Sequence, residues 1–175
     1  MSTVVVAVII ISFIAAIVLV LVAINNRDRK QTTLELLSRF SDRAMESNLS
    51  FSSQELLENT LMGLDGIQRK LLVIKKFRAD KYESLLIDLN EVKRCRKIQV
   101  YNSISVGDGK KENIENQLEK IVLEFEYMDG RTPTEIVFFE PLNNHILTMS
   151  ELSEKAKKWE GIISKLLPGD LKKTG

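Results

Sequence analysis

The chain reads as an α+β protein with an N-terminal membrane helix, and three observations carry that expectation. Val4 to Ile24 form one apolar run broken only by Ser12. From Thr60 to Glu140, short runs alternate apolar and polar side chains between turn residues, and around Trp159 the apolar spacing returns to three and four. Period two marks strands and the three-to-four spacing marks helices, so the predicted order is helix, strands, helix.

About twenty residues at 1.5 Å rise cover the roughly 30 Å hydrocarbon core, so residues 4–24 are predicted to cross a bilayer once. A cleaved signal peptide would carry a basic n-region, a shorter apolar stretch and a small-residue cleavage site, and none is present. Met1 to Thr3 hold no Lys or Arg, whereas Arg27, Arg29 and Lys30 follow the run. The positive-inside rule then places the N-terminus outside and the rest in the cytoplasm, at a cell inner membrane or plasma membrane. The single Cys95 rules out an internal disulfide and suits a reducing compartment.

Residues 25–50 are predicted to form a juxtamembrane helical stalk, because Leu36, Leu37, Phe40 and Ala44 share one helical face and Arg39, Asp42, Arg43 and Glu46 lie off it. Asn48 to Ser53 supply the polar break. Ser52 with Glu55 fits a capping box for a short turn over Gln54 to Asn59, and an extended reading competes with it. The domain proper is expected over residues 51–168. Thr60 to Leu64 and Lys70 to Ile74 flank Asp65-Gly66, a pair that tolerates positive φ and so predicts a hairpin. Strands follow over Tyr82 to Leu89, Lys97 to Ile104 and Lys120 to Met128, with Ser105 to Asn116 read as a loop. Asp129-Gly130 turns the chain into a last strand, Thr134 to Glu140, which Pro141 stops.

The C-terminal helix is predicted to start near Met149. Thr148 and Glu151 match a capping box, and Leu147 and Leu152 match the hydrophobic staple. Leu152, Ala156, Trp159, Ile163 and Leu166 form its apolar stripe, widened by Ile162 and Leu167. Pro168-Gly169 ends it, leaving residues 169–175 as a disordered tail.

Lys70-Leu-Leu-Val-Ile-Lys75, Ser84 to Val92 running into Lys97-Ile-Gln-Val100, Ile121 to Met128, Glu135 to Phe139 and the Trp159 helix together resemble a pleckstrin-homology-like (PH-like) domain. With Gly63-Leu-Asp-Gly66 and the anchor, the chain is similar to small single-span bacterial membrane proteins whose functions are uncharacterised. The resemblance implies an antiparallel sheet or barrel capped by one C-terminal amphipathic helix, and it implies no activity.

The chemistry-bearing residues are few. His145 and Cys95 are the only imidazole and thiol, too few for a closed zinc site, and Glu112, Glu115 and Glu119 lack the glycine-bearing loop of a calcium hand. With 25 basic against 24 acidic residues, and no recognised reader motif in the basic segment, nucleic acid is not expected. Basic neighbours are expected to lower the Cys95 pKa. The basic segment instead offers Lys75, Lys76, Arg78, Lys93, Arg94, Arg96 and Lys97 for contact with anionic lipid. The expectation is a membrane-anchored cytosolic binding or scaffolding module for an unidentified protein partner, without catalysis, cofactor or metal. The competing expectations are a redox sensor or enzyme using Cys95 and a domain that binds a lipid surface.

Overall fold

The computed structural model describes residues 30–77, 81–106, 113–142 and 144–171. The expected span over 4–24 lies outside them, and no described helix is long and apolar enough to cross a membrane. The architecture is α+β, with two antiparallel sheets and two principal helices. Helix α1 covers residues 30–46. Strands β1 (Ser53–Leu56), β2 (Thr60–Asp65), β3 (Lys70–Lys76) and β4 (Tyr82–Asp88) form one sheet in sequence order. Strands β5 (Val92–Val106), β6 (Asn113–Tyr127) and β7 (Thr134–Phe139) form the second, and helix α2 (Met149–Ser164) follows.

The two-residue period of the first sheet feeds two cores. Met62, Leu64, Leu71, Val73 and Ile87 join Phe125, Phe138, Phe139 and Trp159 in the main core between the sheets and α2. The alternate positions Leu61, Leu72 and Ile74 face outward and are covered by Leu36, Phe40 and Ala44 of α1. A strand buried on both faces reads as a continuous apolar run, which accounts for Leu71-Leu72-Val73-Ile74. The helix predicted as a stalk is therefore docked along the sheet. Gly63 permits this approach: a Cβ there would collide with Phe40 Cζ and lie 2.8 Å from Phe51 Cδ1.

Several local expectations need correction. Ser53–Leu56 is a strand, so the extended reading of that stretch holds over the helical turn. In the β2–β3 turn the left-handed position is Arg69, at φ 55°, and not Gly66. Strands β5 and β6 pair from Val92↔Tyr127 to Val106↔Asn113, so much of the expected Ser105–Asn116 loop is ladder. That extension was illegible because β7 pairs only with Ile121 to Phe125, and a ribbon reaching past the third strand needs no apolar face.

At α2, Thr148 makes no side-chain capping bond; its hydroxyl donates to the His145 carbonyl at 2.7 Å. A 3₁₀ turn over Ile146–Thr148 precedes the helix and leaves Leu147 exposed, so no staple to buried Leu152 forms. Leu152, Ala156, Trp159 and Ile163 of the stripe are buried as expected, but α2 ends at Ser164, before half-buried Leu166 and buried Leu167. Pro168–Leu171, expected to end the helix and open a disordered tail, forms a further helical turn.

Candidate functional site

The first sheet has two distinct ends. At the near end, where α1 begins, Lys76 Nζ donates to Thr32 Oγ1 (3.2 Å), the Lys76 amide donates to the Asn59 carbonyl (2.8 Å) and Asn144 Nδ2 donates to Glu58 (3.2 Å). At the far end, Gln68 Nε2 reaches the Asn48 carbonyl at 2.6 Å and the Leu89 amide reaches the Arg69 carbonyl at 2.8 Å. Lys70 and Lys76 close the two ends of β3, so the ends stand roughly 20 Å apart.

This geometry divides the basic residues singled out in the sequence. Lys75 and Lys76 lie at the near end; Lys93, Arg94 and Arg96 follow the Asp88–Val92 corner at the far end; Arg78 lies outside the described residues. Lys75 places its ammonium 4.8 Å from the Phe77 ring centre. Lys76 bridges to Glu35 of α1 at 3.0 Å, and Glu35 also accepts from the Tyr82 hydroxyl, while Arg39 stacks 4.1 Å over the Tyr82 ring. The hydrogen bonds from Tyr82 and Lys76 hold the Glu35 carboxyl below its ordinary pKa, and the Glu35 bond raises that of Lys76. Lys76 thus fastens the start of α1 to the sheet.

On the outer face of the second sheet, basic β5 lies beside acidic β6. Lys93 bridges Glu126 at 2.7 Å, Arg96 bridges Glu124 at 3.1 Å, Arg94 stands opposite Glu126, and Lys120 bridges Glu135 on β7. The Lys93 hydrogen bond, with Arg94 and Arg96 nearby, lowers the Glu126 pKa. Lys97 is engaged by α2, its ammonium donating to Ser153 Oγ at 3.0 Å and its amide to Glu160 at 3.1 Å. The basic and acidic halves of the sequence are complementary partners across one ladder.

Cys95 alternates to the interior, 3% exposed, opposite Phe125. Burial, with a further contribution from the Glu160 carboxylate, drives its thiol pKa far above the ordinary value, the reverse of what its basic neighbours suggested. Arg94 and Arg96, on either side of it, point to the other face of the strand, and Lys97 is held by Ser153 of α2. His145 is exposed, and its Nδ1 accepts the Leu147 amide at 3.3 Å. Among the described residues, no three His, Cys, Asp or Glu side chains gather as metal ligands; Glu112 and the Glu115 side chain lie outside them.

Two surface depressions stand out. A groove of about 700 Å³ runs between α1 and β1, lined by Leu37, Ala44, Met45, Leu49, Phe51 and Gln54. Leu37 and Met45 are exposed along it, on the turns of α1 that flank the buried stripe. Strand β1 is the outer strand of its sheet, so among the described residues the backbone groups on its far side have no strand partner. A second cleft, about 590 Å³, opens at the near end between Thr32, Thr33, Glu58, His145 and Thr148. The groove is not legible in the sequence, because the spacing places Leu37 on the same apolar face as Leu36, Phe40 and Ala44, and Met45 carries no pattern of its own.

Comparison with protein-family models, with curated proteins and with solved structures finds no match to this chain.

Proposed function

We propose that the chain is a single-span anchored module whose PH-like domain binds a protein partner at the cytoplasmic face of the membrane. The apolar run over 4–24 and the basic residues that follow it support the anchor and its orientation. Four strands and three strands in sequence order, closed by α2, support the PH-like reading. The observation that carries the binding role is the groove beside the outer strand β1, with Leu37 and Met45 exposed along it. An extended segment could add to that edge through its backbone while an apolar side chain enters between Leu37 and Met45.

A photoreactive side chain placed at Gln54 of the full chain in its native membrane tests the groove. Discrete crosslinked proteins are expected, and they should disappear with Leu37→Lys or Met45→Lys. Crosslinking no stronger than from a control position at Ile67 would reject the groove. A labelling enzyme fused after Gly175 tests the orientation, and labels confined to extracytoplasmic proteins would overturn it.

A further inference from the structure

Four large apolar side chains stand exposed at the near end of the domain. Phe77 follows β3, Leu142 follows β7, and Ile146 and Leu147 lie in the 3₁₀ turn; they are 53%, 91%, 66% and 83% exposed. Leu147 is the residue that a staple would have tucked against α2. The loops that carry these residues adjoin one another. One depression is walled by Phe77, Asn59, Glu140 and Asn144, and the next joins His145 and Thr148 to Thr32 and Thr33 in the first turn of α1.

The same end holds the first described turn of α1, the part of the described chain closest in sequence to the apolar run. Helix α1 is described from residue 30, six residue steps after Ile24, which span at most roughly 20 Å even when fully extended. A run that crosses the bilayer therefore holds this end within roughly 20 Å of the hydrocarbon core, whose headgroup region is about 5–8 Å deep on each side, so the tether keeps this end beside the membrane and the apolar loops decide whether it enters. Charge at this end is mixed, with Lys30, Lys75 and Lys81 set against Glu58, Glu83 and Glu140. Apolar insertion, and not attraction to anionic headgroups, then determines the contact.

We infer that the near end of the domain seats on the bilayer surface, with Phe77, Leu142, Ile146 and Leu147 entering the boundary between headgroups and acyl chains. The inference rests on the anchored reading above. It gives the domain a fixed orientation, with the near end against lipid, the Lys93 to Arg96 end of the β5–β6 ladder directed away from it, and the part of that ladder beyond the Gln99↔Ile121 pair leaving the domain on the membrane side.

The test uses the full chain in phosphatidylcholine vesicles with a nitroxide at Leu142→Cys, Leu147→Cys, Ile67→Cys at the far end, or Ala15→Cys inside the apolar run. Buried Cys95 is left in place. Collision with oxygen, which dissolves in lipid, is compared with collision with a water-soluble nickel chelate. The oxygen-to-chelate ratio at 142 and 147 is expected to be several-fold above that at 67, and to change little when phosphatidylglycerol is added. Ratios at 142 and 147 equal to that at 67, with an oxygen-rich Ala15 position, would overturn the seating while the anchor stands. A chelate-accessible Ala15 position would remove the anchor and the seating together. Contact that appears only with phosphatidylglycerol would overturn apolar insertion. Shielding from both reagents with spin–spin broadening would assign the surface to a second copy of the chain.

Discussion

Asp65 occupies the place of an ordinary turn residue, yet it is 1% exposed. Its Oδ1 accepts the amides of Ile67 (2.9 Å) and Gln68 (2.8 Å), and its Oδ2 accepts the amide of Ser50 at 2.7 Å, which latches the α1–β1 connection to the hairpin. Burial works to raise its pKa, but the three amides and nearby Lys70 outweigh it, so the net direction is down. With the folded value below the unfolded one, the unfolded chain takes up the proton first as pH falls. The stability contributed is present above about pH 4 and is lost as pH drops through the folded value. Asp65→Ala is expected to cost roughly 1–3 kcal/mol in denaturant unfolding at neutral pH, because it removes the shared acceptor of three part-buried amides, and to flatten the acid limb of the stability profile. Gly63→Ala should cost about 1–3 kcal/mol by overpacking against Phe40 and Phe51. An unchanged midpoint would show that α1 can shift outward freely. Cys95 should resist alkylation in the folded chain and react only as denaturant unfolds it, since both burial and a raised pKa withhold the thiolate. Rapid native-state labelling would contradict the packing.

Helix α1 behaves as part of the domain. A chain beginning at residue 48 would expose Leu61, Leu72 and Ile74, whereas one beginning at residue 30 keeps them covered. The shorter chain is expected to bind a hydrophobic dye and unfold at a lower temperature, and the longer one to unfold cooperatively. Phe40→Ala in the longer chain should cost roughly 3–5 kcal/mol for the same reason. The charged ladder of the second sheet contributes less to stability. Its pairs are partly exposed, so Arg96→Gln, which leaves Glu124 unpaired at the surface, should cost under about 1 kcal/mol, and that cost should shrink with added salt.

For the molecule as a whole, the two ends separate two surfaces. The groove beside β1 is lined by the later turns of α1 and by the segment leading into β1, whereas the apolar loops at the start of α1 are those proposed to meet lipid. A partner bound in the groove would therefore not compete with membrane seating. Crosslinking from Gln54 is expected to persist when Leu142 and Leu147 are replaced by Ser, and its loss in that variant would mean that seating positions the groove.

By itself the sequence determined what depends on local periodicity. The apolar run long enough to cross a bilayer, the strands of the hairpins, the place where α2 begins and most of its buried stripe are all readable because spacing alone specifies which face is apolar. The tertiary structure decided what depends on residues far apart in the chain. Only packing shows that α1 covers the sheet, that Gly63 is small to admit Phe40, and that Asp65 holds Ser50 as well as its own turn. Only strand pairing shows that the basic residues near Lys93 meet the acidic residues of β6, because a charge run has no visible partner until the register between two strands is known.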